Sequence, residues 1–331
     1  FKRQAQIVRD EGALAELPQH LTGEAWYEAF AGNLEGARLL VAEIESVSAA
    51  TGSPLPQFAV LRLRSLQGSE ADTLPLIQIT MEQAAAYGQG IAATTANWAA
   101  AVLYNGLARY DEAASAAAQV IAHALDPFMS NFALPELIEA ATRRGDTDAA
   151  VDAFERLTDA TRPVKTDWAA GIEARCRALL AEGDEAEEAY REATERFSRT
   201  KLRTELARTH LLYGEWLRRE GRRADASHQL RSGYDLFVEM GMEAFAGRAR
   251  RELTAAGETV QARSPALRLE LTAQEEQVAR LASDGRSNRE IAGTLYLSTR
   301  TIEWHLRKVY TKLGISSRSQ LRSLALTTGL A

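Results

Sequence analysis

The chain has 331 residues, a formal net charge of −6, 46% hydrophobic residues and one cysteine, Cys176. That length allows more than one domain, and that hydrophobic content suffices for a sizeable core. A single cysteine excludes an internal disulfide framework, and no apolar run approaches the roughly 18 residues of a membrane-spanning helix.

From Phe1 to Ala256, apolar residues recur at spacings of three and four, and no alternating stretch reads as a strand. This predicts an all-α arm over 1–256. A repeat organises it. A short turn recurs ahead of a helix that opens on alanine: Gly32 to Ala37, Gly68 to Ala71, Ala108 to Ala113, Gly145 to Ala150, Gly183 to Ala186, and Gly221 to Ala226. The turn positions lie 36, 40, 37, 38 and 38 residues apart. That is the length of two antiparallel helices with their loops. One such pair cannot bury its apolar face alone, so neighbours are expected to stack into a superhelix. The pattern resembles tetratricopeptide repeats in a slightly long form. Trp26, Trp98, Trp168 and Trp216 fall on the first helices of their pairs and read as inter-repeat core.

Helix breaks support this register. Gly52-Ser53-Pro54-Leu55-Pro56 separates the first two pairs, Asp126-Pro127 starts another with proline in the first turn, and Thr161-Arg162-Pro163 opens a later connection. Residues 257–268 (GETVQARSPALR) are polar and aperiodic and read as a linker. The chain begins on Phe1 inside an apparent helix, which predicts a piece of a longer protein. No G-x-x-x-x-G-K-[ST] occurs.

The tail, 269–331, carries its own start signals. Thr272 with Glu275, and Ser287 with Glu290, form two capping boxes. The first predicted helix buries Val278, Leu281 and Ala282. Asp284-Gly285 ends it. A short second helix buries Ile291, Ala292 and Leu295. A third starts after Ser298, buries Ile302, Leu306, Val309 and Leu313, and ends at Gly314. A fourth, from Arg318, carries Leu321, Leu324 and Ala325. A short helix, a tight turn and a longer helix make a helix-turn-helix pattern. From Arg286 to Arg322 eight Lys/Arg stand against two acids. A basic face on an acidic chain is the footprint expected of phosphate binding to double-stranded DNA.

On the third helix, Glu303, Trp304 and Arg307 point away from the buried stripe and are candidates for base edges. Arg307 can fork onto guanine O6 and N7. Glu303 could accept from cytosine N4, or could simply hold Arg307 one turn on. Trp304 could meet a thymine methyl or pack against protein, whereas His305 borders the buried stripe and reads as structural. Candidate phosphate contacts are Asn288 at a helix N-terminus, Ser298, Arg300, Thr301, Lys308 and Lys312. There is no metal-spaced Cys/His set and no nucleophile motif, so neither metal, cofactor nor catalysis is expected. Cys176, between Arg175 and Arg177, reads as a buried helical thiol.

The tail's pattern, LT-x-x-E-x-x-V-x-x-L-x-x-x-G-x-S-N-x-E-I-A-x-x-L-x-L-S-x-R-T-I-E-x-H-L-x-x-V-x-x-K-L-G-x-x-S-R, resembles the DNA-binding domain of LuxR-type transcription regulators. The resemblance implies that the third helix enters the major groove, that the fourth (Leu321, Leu324, Ala325) serves dimer contacts, and that the protein acts in a bacterial cytoplasm. A helical-repeat arm joined to such a tail is similar to the C-terminal part of the large ATP-binding, MalT-like regulators. That likeness implies an arm that senses a small-molecule inducer or a protein partner, a homodimer on DNA, and RNA polymerase as a partner if the protein activates. The rival expectation is a protein-interaction scaffold whose tail is secondary or inactive.

Overall fold

The computed structural model describes residues 2–52, 58–123, 127–258, 271–313, 315, 317, 318 and 320–322. Among them every regular element is helical and no strand occurs. The helices are α1 (Lys2–Asp10), α2 (Leu17–Ala31), α3 (Leu34–Thr51), α4 (Phe58–Gln67), α5 (Glu70–Tyr87), α6 (Gly90–Leu107), α7 (Tyr110–His123) and α8 (Pro127–Arg144). Then come α9 (Thr147–Thr161), α10 (Asp167–Leu180), α11 (Gly183–Ser198), α12 (Arg203–Arg219), α13 (Arg223–Met240) and α14 (Glu243–Ala255). The tail contributes α15 (Ala273–Ser283), α16 (Asn288–Leu295) and α17 (Thr299–Leu313). Ser53 to Pro56 of the expected break, Asp126, Gly314, the linker from 259 onward, Leu324 and Ala325 lie outside the described residues. Among the described residues no helix is long and apolar enough to cross a membrane.

The chain divides into two compact units that interleave in sequence. One holds Phe1–Tyr27, Glu35–Ala59 and Ser264–Ala331, and the other Glu28–Leu34 and Val60–Arg263. This division by contacts cuts the chain differently from a boundary at 256.

In the second unit the repeat turns are where the spacing puts them. Gly32, Gly68, Gly145, Gly183 and Gly221 all have positive φ, and Ala108 takes the same conformation at φ 62° without glycine's freedom. Ala37, Ala113, Ala150, Ala186 and Ala226 are buried, as close helix approach requires. Ala71 is the exception. It is exposed, and Thr73 takes the buried position five residues after its turn, as Ala113 does after Ala108.

The first helices of the pairs pack side by side. α6 lies on α8, α8 on α10, α10 on α12 and α12 on α14, and α14 returns to α6. The return demands small residues. A Cβ at Gly68 (φ +81°) would stand 2.5 Å from Ala244 Cβ, and one at Gly106 3.0 Å from the Phe245 ring. Gly68→Ala should therefore destabilise this unit by about 1–3 kcal/mol through strain and overpacking combined. Urea unfolding followed by circular dichroism measures it, and an unchanged midpoint would refute the close approach.

Side chains fill the interior where α14 closes on α6. Arg248 forks onto Glu215 (2.7 and 2.8 Å), and its Nη1 donates to Glu139 (2.6 Å) and to the Asn105 carbonyl (2.9 Å). Arg208 bridges Glu136 (2.5 and 2.8 Å) and Glu139 (2.7 Å), and Arg175 reaches Glu205 (2.7 Å). All seven side chains are buried. Next to them, Phe132 touches both the Trp98 and Trp168 rings. A cavity of about 20 Å3 there is lined by Arg62, Trp98, Phe132 and Trp168 among others. Its volume suits about one water and is too small for a larger ligand.

Candidate DNA interface

Local chemistry sets the three tail helices. Thr272 Oγ1 accepts from the Glu275 N–H (3.3 Å) while the Glu275 carboxylate accepts from the Thr272 N–H (2.8 Å). Ser287 and Glu290 repeat the exchange at 3.3 and 2.7 Å. Ser298 caps α17 by accepting from the Thr301 N–H at 3.1 Å. The three helices share one core of Val278, Ala279, Ala282, Ile291, Ala292, Leu295, Ile302, Leu306, Val309 and Leu321. Leu281 is only partly buried against it. Tyr296, in left-handed conformation at φ 53°, ends α16.

With Ile302, Leu306 and Val309 turned inward, α17 presents Arg300, Glu303, Trp304, Arg307 and Lys308, all exposed. Trp304 is 51% exposed, and Lys308 Nζ lies 3.8 Å from its ring centroid. Helical phase turns the indole away from the buried stripe, and the cation packs over its face there. The three base-edge candidates and two of the phosphate candidates thus share one face.

The other phosphate candidates are more committed. Ser298 and Thr301 hydroxyls lie 2.7 Å apart at the start of α17. Lys312 donates to Glu275 at 2.6 Å and so braces the first capping box. Asn288 Oδ1 accepts from Arg318 Nη1 at 2.8 Å, which leaves its amide N–H groups for an anion. Arg318 was not among the expected site residues. Its Nε also donates to the Ala282 carbonyl (3.2 Å) and its Nη2 to the Arg286 carbonyl, so it clasps the end of α15 to the start of α16. Leu321 is 2% exposed, inside the tail core.

His305 is 6% exposed, and burial lowers its pKa; Glu275 opposes and Lys308 reinforces this shift. The folded tail therefore prefers neutral imidazole. This contribution is present above the ordinary histidine value of 6.5 and is lost as pH falls through the lower folded value. Amide exchange protection in α17 should drop as pH falls below the ordinary histidine value of 6.5, and His305→Gln should flatten that dependence. An equal drop in the variant would assign it elsewhere.

Such an arrangement, a short capped helix followed by a longer helix with an exposed basic face, defines a helix-turn-helix DNA-binding tail. Residues 269–325 match the family of bacterial regulatory proteins called the luxR family, and this stretch is a DNA-binding domain of that type. Similar proteins carry matching names. A candidate HTH-type transcriptional regulator of Mycobacterium bovis is 53% identical over 51 residues, 15% of this chain and 6% of that protein. The response regulator Rre1 of Synechocystis is 39% identical over 64 residues, 19% of this chain and 28% of its own. The HTH-type transcriptional regulator AlkS of Pseudomonas putida is 40% identical over 50 residues, 15% of this chain and 6% of its own. The chain thus spans only a small part of the length of these relatives. No solved structure matches.

Proposed function

We propose that the chain is part of a sequence-specific transcription regulator that binds double-stranded DNA as a homodimer in the bacterial cytoplasm. The observation that carries this reading is the exposed row Arg300, Glu303, Trp304, Arg307 and Lys308 on α17, opposite a fully buried stripe. Glu303, Trp304 and Arg307 read base edges. Arg300 and Lys308 hold phosphates, with Asn288, Ser298 and Thr301 at helix starts and Lys312 at the margin. The segment after Arg318 serves the dimer through Leu324 and Ala325, while Leu321, expected there too, is buried in the tail core and anchors the segment. In this reading the chain catalyses nothing, and RNA polymerase is a partner only if the protein activates.

The arm, 1–256, joined by the linker 257–268, senses an inducer or protein partner and controls the tail. Within the first compact unit Arg38 of α3 pairs with Glu276 of α15, and Ser46 Oγ donates to the Leu295 carbonyl at 3.1 Å. These contacts support an arm whose first helices hold the tail through α15 and α16.

The test is binding of the full chain to a random-site DNA pool across a salt series. Selective, salt-sensitive binding is expected, and Arg300→Ala should lower the log–log slope by roughly 0.9 without changing the selected site. The scaffold reading instead predicts no selective binding even at low salt.

A further inference from the structure

The first compact unit contains a cleft that the proposed DNA face does not use. It is a half-open groove of about 550 Å3, a volume within the range of roughly 300–1,000 Å3 usual for small-molecule sites. Arg9 of α1 and Glu43 of α3 line one side. Gln277 and Arg280 of α15, Arg286 and Tyr296 line the other.

The charges in the cleft are unequally engaged. Arg9 is bound to Glu43 at 2.6 Å. Glu290, also on the wall, spends its carboxylate on the N–H and the hydroxyl of Ser287, both at 2.7 Å. Arg280 and Arg286 are exposed, and among the described residues neither forms an ion pair, although the Arg286 charge helps lower the Glu290 pKa across the same wall. Gln277 adds a second, separate sign. It is 7% exposed, it lines the cleft, and among the described residues its side-chain amide has no protein hydrogen bond. Its terminal N and O still reach solvent, so the amide is open to a ligand in the cleft and is not an orphaned interior group. Two open guanidiniums beside such an amide suit a planar or tetrahedral oxyanion, which accepts from all three.

We propose that this cleft binds a small molecule bearing a carboxylate or phosphate group, with Arg280 and Arg286 as counter-charges and the Gln277 amide as the orienting contact. The proposal rests on the reading that the arm's first helices hold the tail, because α1 and α3 form one wall and α15 and α16 the other. A ligand touching both walls favours the held arrangement over any in which they separate, and so shifts that equilibrium.

The test is isothermal titration of the full chain with pyrophosphate and, separately, with citrate, at fixed ionic strength. Saturable binding of one of the two is expected, which also tells phosphate from carboxylate. Arg280→Gln with Arg286→Gln should weaken it by about tenfold or more, and Gln277→Leu should weaken it too. Arg300→Gln with Lys308→Gln, on the α17 face, should leave it unchanged. The proposal is overturned if neither anion binds saturably, if the Arg280/Arg286 double variant binds as well as wild type, or if only the α17 variant loses binding. DNA affinity measured with and without the bound anion separates the two ideas. Anion binding that leaves DNA affinity unchanged keeps the site and sinks the control reading.

Discussion

Arg248→Met should destabilise the larger unit by about 3–5 kcal/mol, the cost of breaking a buried ion pair from one side. The size of the effect follows from what is left behind. Arg248 is 2% exposed and its guanidinium engages two carboxylates and a carbonyl. Methionine fills much of the volume but, among the described residues, leaves Glu215 its ion pair with Arg143 and Glu139 its ion pair with Arg208 alone. Arg248→Lys keeps the charge but cannot fork, so an intermediate loss is expected. Thermal unfolding reads the difference, since each kcal/mol moves the midpoint by about 2–4 °C in a unit of this size. A shift within error for Arg248→Met would mean that the network contributes no stability. Acid tests the same network from the other partner. Burial alone would push the Glu139 carboxyl up, but Arg208 and Arg248 together bring it down to about 2. Its contribution is therefore complete above the ordinary value of 4.5 and is lost as pH falls toward about 2. In Arg248→Met that acid limb should move to higher pH.

Local signals in the sequence carried most of the helical frame and little of the interior. A turn glycine, a capping box and a buried alanine act over about five residues. The six turn positions and the Thr272–Glu275 and Ser287–Glu290 boxes were therefore readable. The Arg248 hydrogen bond to Asn105 spans 143 residues. An arginine or glutamate on a helix looks like a solvated face until its partner is placed opposite, so no spacing rule exposes the network. Arg175 shows the ambiguity well. In sequence it is a cation next to Cys176 that could lower the thiol's pKa. In the fold it is buried against Glu205, and burial pushes Cys176 up to about 12. The return of α14 onto α6 was hidden for a related reason: Gly68 and Gly106 read as turn and helix residues, while their use is to admit Ala244 and Phe245. In the tail, the exposed row of α17 was legible because one amphipathic helix fixes it. Arg318 was missed because two of its hydrogen bonds go to backbone carbonyls and the third to Asn288, 30 residues away, which no local side-chain motif announces.

Arg307→Ala should remove about 1–3 kcal/mol of discrimination at one base-pair position and leave binding to mixed-sequence DNA nearly intact. The reason is geometric. Arg307 is exposed one turn after Glu303 on the same face of α17, beside the Trp304–Lys308 pair. A guanidinium there can fork onto guanine, whereas a lost phosphate contact would weaken all sequences alike and lower the salt slope. Selection from a random-site pool, followed by affinity measurements on the selected site and its single-base variants, distinguishes these outcomes. Arg307→Lys should recover affinity but not discrimination, because an ammonium acts as a point charge. The same assay decides what Glu303 does. If its carboxylate only steadies Arg307, Glu303→Gln combined with Arg307→Ala should be no worse than Arg307→Ala alone. If it accepts from cytosine N4, the double variant should lose discrimination at a second position, with the two losses adding. Should Arg307→Ala select the same site with the same single-base penalties as wild type, α17 does not read DNA through this side chain, and the remaining exposed base-edge candidates on that face are Glu303 and Trp304.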